Sequence, residues 1–367
     1  MKKRWMAASA ALAAGAVVIA RTATRRDGAL EEVFTDDTFQ ITGVTMSKHG
    51  RLFVNYPRWS DMYLNAVVEV LPDGSIRPFP DEVWNGWDRK PHTATAHFVC
   101  VQSVVADEQD ALWVLDPAAP MLTSPVPNGA KLVKIDLASD RVVQVIAFGP
   151  AVIRADSYLN DVRIDVRTQT AYITDSGAGG IVVVDLASGR ARRVLDAHPS
   201  VMAEPGVQIA VNGKPVVDAQ GQPPKFNADG IALSNDGVWL YYQPITATAM
   251  YRVRTDVLRD PHASPTAAGA AVERYASTFP VDGLWIDAHD RIYLSDITHT
   301  AVSRLLPDRT IEQLIVDRRL QWPDTFTQGP DGAIYVTASH INESATYNRG
   351  KSVRTQPYGV YRFTPPA

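Results

Sequence analysis

Cysteine is almost missing from this chain: Cys100 is the single one in 367 residues. No intramolecular disulfide can form, so a disulfide-built miniprotein is excluded and stability must come from packing. Cys100 sits in a strand-like stretch and reads as a buried, inert thiol. A basic excess is missing too. With 36 Lys and Arg against 40 Asp and Glu, the formal net charge is -4, which excludes a nucleic-acid partner held by phosphate neutralisation. Long apolar runs are scarce: the one extended run, Trp5–Ala20, falls short of the roughly 20 residues that span a bilayer. G-x-S-x-G, Walker A, G-x-G-x-x-G and H-E-x-x-H sequences do not occur, and the eight histidines show no paired ligand spacing. These absences argue against a zinc enzyme, and no organic cofactor is expected.

What is present is a 46% hydrophobic, 21% charged composition with Gly 23 and Pro 25 spread along the whole length. That pattern suits a large core made of many short strands joined by turns. Lys2, Lys3 and Arg4 before Trp5–Ala20 form the basic and apolar regions of a secretory signal. Cleavage after Ala20 leaves 33 basic against 40 acidic residues, a mature charge of -7. The expectation is a secreted or periplasmic protein with residues 1–20 as signal peptide, or as an uncleaved anchor. Residues 21–29 read as a linker and 30–367 as the folded domain. No membrane contact is expected unless the leader stays uncut.

Internal repetition sets the fold class. Six segments share one plan, an apolar strand, a polar or glycine turn and a second strand: residues 42–57, 102–116, 160–175, 229–243, 282–296 and 324–339. A second hairpin follows each of the first five, for example 66–79, 131–148 and 180–195. Two hairpins make a four-stranded unit recurring every 40 to 70 residues, the signature of propeller blades. The last repeat ends one strand short at 359–363, while Leu30–Thr35 is a strand with no partner. The expectation is therefore an all-β, six-bladed β-propeller closed by an N-terminal strand completing the last blade. Residues of about 201–226, with a turn at Asn212-Gly213, fit no blade and read as an inserted loop.

In a propeller the first strand of each blade starts at the mouth of the central channel. Thr42, Gln102, Asn160, Asp229, Asp282 and Asp324 should therefore converge there. An oxygen-rich ring of this kind suits Ca²⁺ or another divalent cation, with Asn160, Asp229 and Asp282 as its ligands. The same residues could instead cap strand ends. Gln102, Asn160 and Asp324 are expected to contact a small-molecule ligand. Tyr56, Trp59, Trp285, Trp322 and Tyr347 either wall that pocket, Trp59 and Trp322 foremost, or pack between blades, Trp285 being the most core-like. His299 and His340 could act as acid or base if they face the channel.

The segments Tyr56-Pro57-Arg58-Trp59, 100–116 (CVQSVVADEQDALWVLD) and 158–185 (YLNDVRIDVRTQTAYITDSGAGGIVVVD) resemble the yellow / major royal jelly protein family in a bacterial-looking version. The resemblance implies a secreted six-bladed propeller, and a function among dopachrome conversion, amine binding in the channel and storage. Insect members carry a cysteine where Gln109 stands here. A more distant likeness is to gluconolactonase and regucalcin propellers, whose strand starts resemble Asn160-Asp161, Asp229-Gly230 and Asp282-Gly283. That likeness implies a metal-dependent lactonase or esterase with Asp282 as the base, although the family's metal-binding Glu is replaced by Ile41 or Thr42. The leading expectation is a monomer that binds, and isomerises, an amine- or catechol-like ligand at the channel mouth. A lactone hydrolase and a non-catalytic structural propeller are its alternatives.

Overall fold

A computed structural model describes residues 19–20, as backbone, and 30–366. The expected leader and linker lie outside the described residues, apart from a two-residue strand at Ile19–Ala20 that pairs in parallel with Ile311–Val316. Among the described residues no helix is long and apolar enough to cross a membrane.

Six four-stranded antiparallel sheets follow one another along the chain. Blade 1 spans residues 43–78, blade 2 103–147, blade 3 159–194, blade 4 228–277 and blade 5 281–316. Blade 6 takes three strands from 323–363 and its outermost strand from Glu31–Asp36, which pairs antiparallel with Tyr358–Phe363. The closing strand thus begins one residue later than the sequence suggests. Leu30 leaves the ladder because its side chain is buried in the core between blades 5 and 6. The innermost strands touch their neighbours in an unbroken circle, blade 6 meeting blade 1.

The repeated sequence pattern follows from this packing. The second strand of a blade is covered on both faces by adjacent blades, so Ala111–Asp116, Thr170–Asp175 and Ile334–Ala338 are buried along their whole length. Near-continuous apolar runs are the result. Outer strands such as Arg141–Ala147 alternate towards solvent. One apolar cluster fills each of the six interfaces between blades, so burial and not covalent bridging holds the ring. Cys100 is fully buried, and burial pushes its thiol up to about 12.

Residues 201–226 lie between blades 3 and 4 and contain a short hairpin, Ala210–Val211 against Lys214–Pro215. Its turn residues Asn212 and Gly213 both have positive φ, the pairing that a two-residue hairpin favours. A seventh apolar cluster, including Val211, Ile245, Ile297 and Trp322, seats this insertion on the mouth of the channel.

Candidate functional site at the channel mouth

The inner strands of blades 3 to 6 open with a register shift, at Leu159/Val162, Ala228/Gly230, Val281/Leu284 and Pro323/Phe326. Those of blades 1 and 2 are regular. A bulge re-aims the side chain at its crest, and here the crests carry Asn160, Asp229, Asp282 and Asp324. The backbone amides displaced from the ladder find hydroxyl partners on the second strand. Ser295 Oγ accepts from Asp282 N and Gly283 N at 2.9 and 2.8 Å, and Thr337 Oγ1 accepts from Thr325 N at 3.0 Å.

The two Asp-Gly pairs have a steric cause. A Cβ on Gly230 would stand 2.2 Å from the Asp282 carbonyl oxygen, and one on Gly283 2.1 Å from that of Asp324. Only glycine lets successive inner strands approach this closely. Blades 4, 5 and 6 thereby bring Asp229, Asp282 and Asp324 into one another's field.

These side chains floor a cavity of about 950 Å³. A hydrogen-bonded chain crosses the floor, its donors running from Trp59 to Asp229 with one branch to Ser176. Trp59 Nε1 donates to the Tyr158 hydroxyl at 2.7 Å, which donates to Gln102 Oε1 at 2.8 Å. Gln102 Nε2 donates to Asn160 Oδ1 at 3.2 Å, and Asn160 Nδ2 donates to Ser176 Oγ at 3.0 Å and to Asp229 Oδ2. Asp229 lies close enough to Asp282 for each carboxyl to bear on the other. From the other side, Trp322 Nε1 donates to Asp282 Oδ2 at 2.6 Å. Asp324 stands beside the chain, with Thr325 Oγ1 at 3.3 Å.

Burial dominates the electrostatics. Asp229 is 2% and Asp282 3% exposed. Loss of hydration raises the Asp229 carboxyl well above its ordinary range, and the charges of Asp282, Asp161 and Asp324 add to this. The same loss pushes Asp282 up to about 7, against the pull of the Trp322 N–H. Asp324 is raised by burial and then by Asp282 and Asp161. Burial thus favours the protonated form at both carboxyls.

Deeper in, Ser103 Oγ donates to Asp161 Oδ1 at 3.1 Å. The guanidinium of Arg163 lies 3.7 Å from Asp161 and reaches from blade 3 to the Leu284 carbonyl of blade 5 at 2.6 Å.

The walls are unequal. Loops on blades 1 and 6 supply aromatic faces, Tyr56, Trp59, Tyr63, Tyr347 and Tyr358, and Phe39 and Phe226 join them. The carboxyls come from blades 4 to 6 and lie at the floor. Gln102, Asn160, Asp229, Asp282, Asp324, Trp59 and Trp322 all line this one cavity. Thr42 does not line it; its hydroxyl accepts from Asn55 Nδ2 at 3.0 Å. Trp285 packs between blades 5 and 6. Neither His299, which faces Asp296 at 2.9 Å, nor His340, buried on Glu343 at 2.7 Å, lines the cavity. Tyr158 and Ser176 were not anticipated. Tyr158 stands two residues before Asn160, the spacing that puts both on one face of an extended chain.

Asn160 is not set as a ligand to a divalent cation as arranged. Asn160 turns its NH₂ group towards Asp229 and spends its oxygen on Gln102, whereas a hard cation needs oxygens. Among the described residues no three His, Cys, Asp or Glu side chains are gathered as metal ligands.

Fold and site together define a six-bladed β-propeller with buried carboxyls at the floor of a cavity walled in part by aromatic side chains. A family model described as "Major royal jelly protein" matches residues 99–345, and the chain belongs to that family. The matched region holds every floor residue but not Trp59. Major royal jelly protein 1 of Apis mellifera is 23% identical over 230 residues, 58% of this chain and 49% of that protein. The chain thus spans about half the length of this curated relative. Among solved structures, a gluconolactonase from Xanthomonas campestris superposes with a TM-score of 0.56 at 14% identity, covering 95% of this chain and 94% of its own. A luciferin-regenerating enzyme gives 0.55 at 12%, covering 91% and 94%. Virginiamycin B lyase from Staphylococcus aureus gives 0.51 at 13%, covering 91% and 98%. At these identities the likeness is one of fold.

Proposed function

We propose that this protein binds a small amine- or catechol-like molecule at the channel mouth and isomerises it by moving a proton between two positions. The observation that carries the reading is the hydrogen-bonded chain that runs from Trp59 through Tyr158, Gln102 and Asn160 to Asp229, next to the buried Asp282. A carboxyl held near neutrality next to a second carboxyl raised by burial is a pairing suited to acid–base catalysis. Asp282 removes a proton from the ligand, and the freed electron pair moves through the conjugated system. Asp229 returns a proton at a second carbon or oxygen, so composition is unchanged. The aromatic walls stack the ring while the carboxyl floor favours a cationic or hydrogen-bond-donating head. An extracytoplasmic setting, expected from the leader, belongs to the same proposal.

The test is to incubate the purified protein with an aminochrome such as dopachrome and with a panel of amines and lactones, following conversion by absorbance. Asp282→Asn is expected to lower turnover at least 100-fold, with activity rising through pH 7 and falling again once Asp229 ionises. Lactone hydrolysis that is lost on chelation, with a stoichiometric divalent metal in the purified protein, favours the lactonase reading instead. The three mutually raised carboxyls are the feature that a cation would relieve. Silence across the whole panel, with no bound metal, favours a structural role.

A further inference from the structure

The rim of the cavity carries large apolar side chains that the floor chemistry leaves unused. Met62 and Leu64, in the loop between the second and third strands of blade 1, are 67% and 64% exposed. Met121 and Leu122, in the equivalent loop of blade 2, are 48% and 55% exposed. The amide of Met121 donates to the Arg58 carbonyl at 2.7 Å and ties the two loops together. Met121 and Leu122 adopt φ of 57° and 55°, a left-handed backbone that non-glycine residues occupy at a cost and that concentrates at functional sites. Met62, Met121 and Leu122 also line the cavity, so the exposed lip continues the wall formed by Trp59 and Tyr63.

Size points the same way. A cavity of about 950 Å³ lies at the upper end of the roughly 300–1,000 Å³ that holds a drug-sized ligand. A single-ring amine or catechol leaves much of it unfilled.

We infer that the ligand is amphipathic: a polar head on the carboxyl floor, a ring on the aromatic wall and an aliphatic tail that leaves the cavity across Met62, Leu64, Met121 and Leu122. This rests on the small-ligand reading above and adds the tail. The flexible thioethers of Met62 and Met121 suit tails of varied length. Each methylene fully buried on the lip tightens binding about fourfold.

Calorimetric titration of the full chain with phenethylamine and its 4-butoxy and 4-octyloxy derivatives tests this. The butoxy compound is expected to bind at least tenfold tighter than phenethylamine. In the doubly substituted Met62→Ser, Leu122→Ser protein the ratio between the two affinities is expected to fall to threefold or less. Both positions are exposed, so the variant keeps the wild-type melting temperature. A ratio near one in the wild type, or one unchanged in the variant, overturns the tail while leaving the head site standing. A protein that binds none of the three overturns both. Self-association abolished by the same two substitutions assigns the lip to a second copy of the chain and likewise overturns the tail. Asp282→Asn is expected to weaken all three ligands by a similar factor, which separates the floor from the lip.

Discussion

Replacing Asp282 by Asn should change how stability depends on pH, and the size follows from the site. Burial holds the Asp282 carboxyl near 7, against about 3.9 in an unfolded chain. The folded state therefore binds the proton more tightly. Its contribution is fully present below pH 4 and is lost as pH rises to about 7. At 1.36 kcal/mol per pH unit, this amounts to about 4 kcal/mol for the one group. Asn keeps the shape, still accepts the Trp322 N–H and does not titrate; its NH₂ finds an acceptor in Asp229. The variant should match the wild type at pH 4 and exceed it at pH 8 by roughly 6 °C in melting temperature. The assay is thermal unfolding in parallel at pH 4 to 9, in the presence of a chelator. Groups remote from the floor titrate equally in both proteins, so the difference between the two curves reports Asp282 together with Asp229 and Asp324, which its charge helps to raise. Curves that run parallel from pH 4 to 8 refute the reasoning, because they mean that the carboxyl is not held out of water. A gap that closes on adding Ca²⁺ indicates that a cation occupies the carboxyl cluster.

Three further outcomes follow from the same geometry. Gly283→Ala forces a methyl group against the Asp324 carbonyl, where the Cβ would stand at 2.1 Å; a loss of about 1–3 kcal/mol is expected by urea unfolding. Lys131→Met removes the partner of Asp116 inside the protein, where Lys131 Nζ donates to Asp116 Oδ2 at 2.8 Å and both residues are fully buried. Leaving that carboxylate uncompensated should cost about 3–5 kcal/mol, measured as a lower unfolding midpoint. Tyr158→Phe cuts the floor chain between Trp59 and Gln102. Ligand affinity should fall several-fold with the melting temperature lowered by only a few degrees, which calorimetry and thermal unfolding resolve together.

The sequence was most legible where the physics repeats. A hairpin with one buried second strand recurs six times, and each instance carries the same apolar run and turn chemistry, so the blade count and the strand missing from 359–363 were readable. The convergence of Gln102, Asn160, Asp229, Asp282 and Asp324 followed from the same regularity. What those residues do to one another was not readable. The bulges at 159–162, 228–230, 281–284 and 323–326 decide which atom of each side chain faces the centre. Bulges leave no periodic trace in sequence. Oxygen counting could point to a cation site but could not show that the amide of Asn160 presents its nitrogen to Asp229. Trp322 illustrates the same gap. It was weighed as either wall or filler, and it is both, fully buried against the insertion and donating its indole N–H to Asp282.

The strand that closes the ring also sets the order in which the molecule can form. Glu31–Asp36 has no strand partner until Tyr358–Phe363 exists, so this strand waits for one more than 300 residues further along the chain. Blades 1 to 5 each pair within a short stretch of chain and can form early. Sealing requires a loop closure spanning almost the whole domain, a step slowed by its entropy. Until it occurs, the edge of blade 6 stays open to any extended segment. The vulnerable interval in the life of this protein is therefore the one between the fifth blade and the sixth.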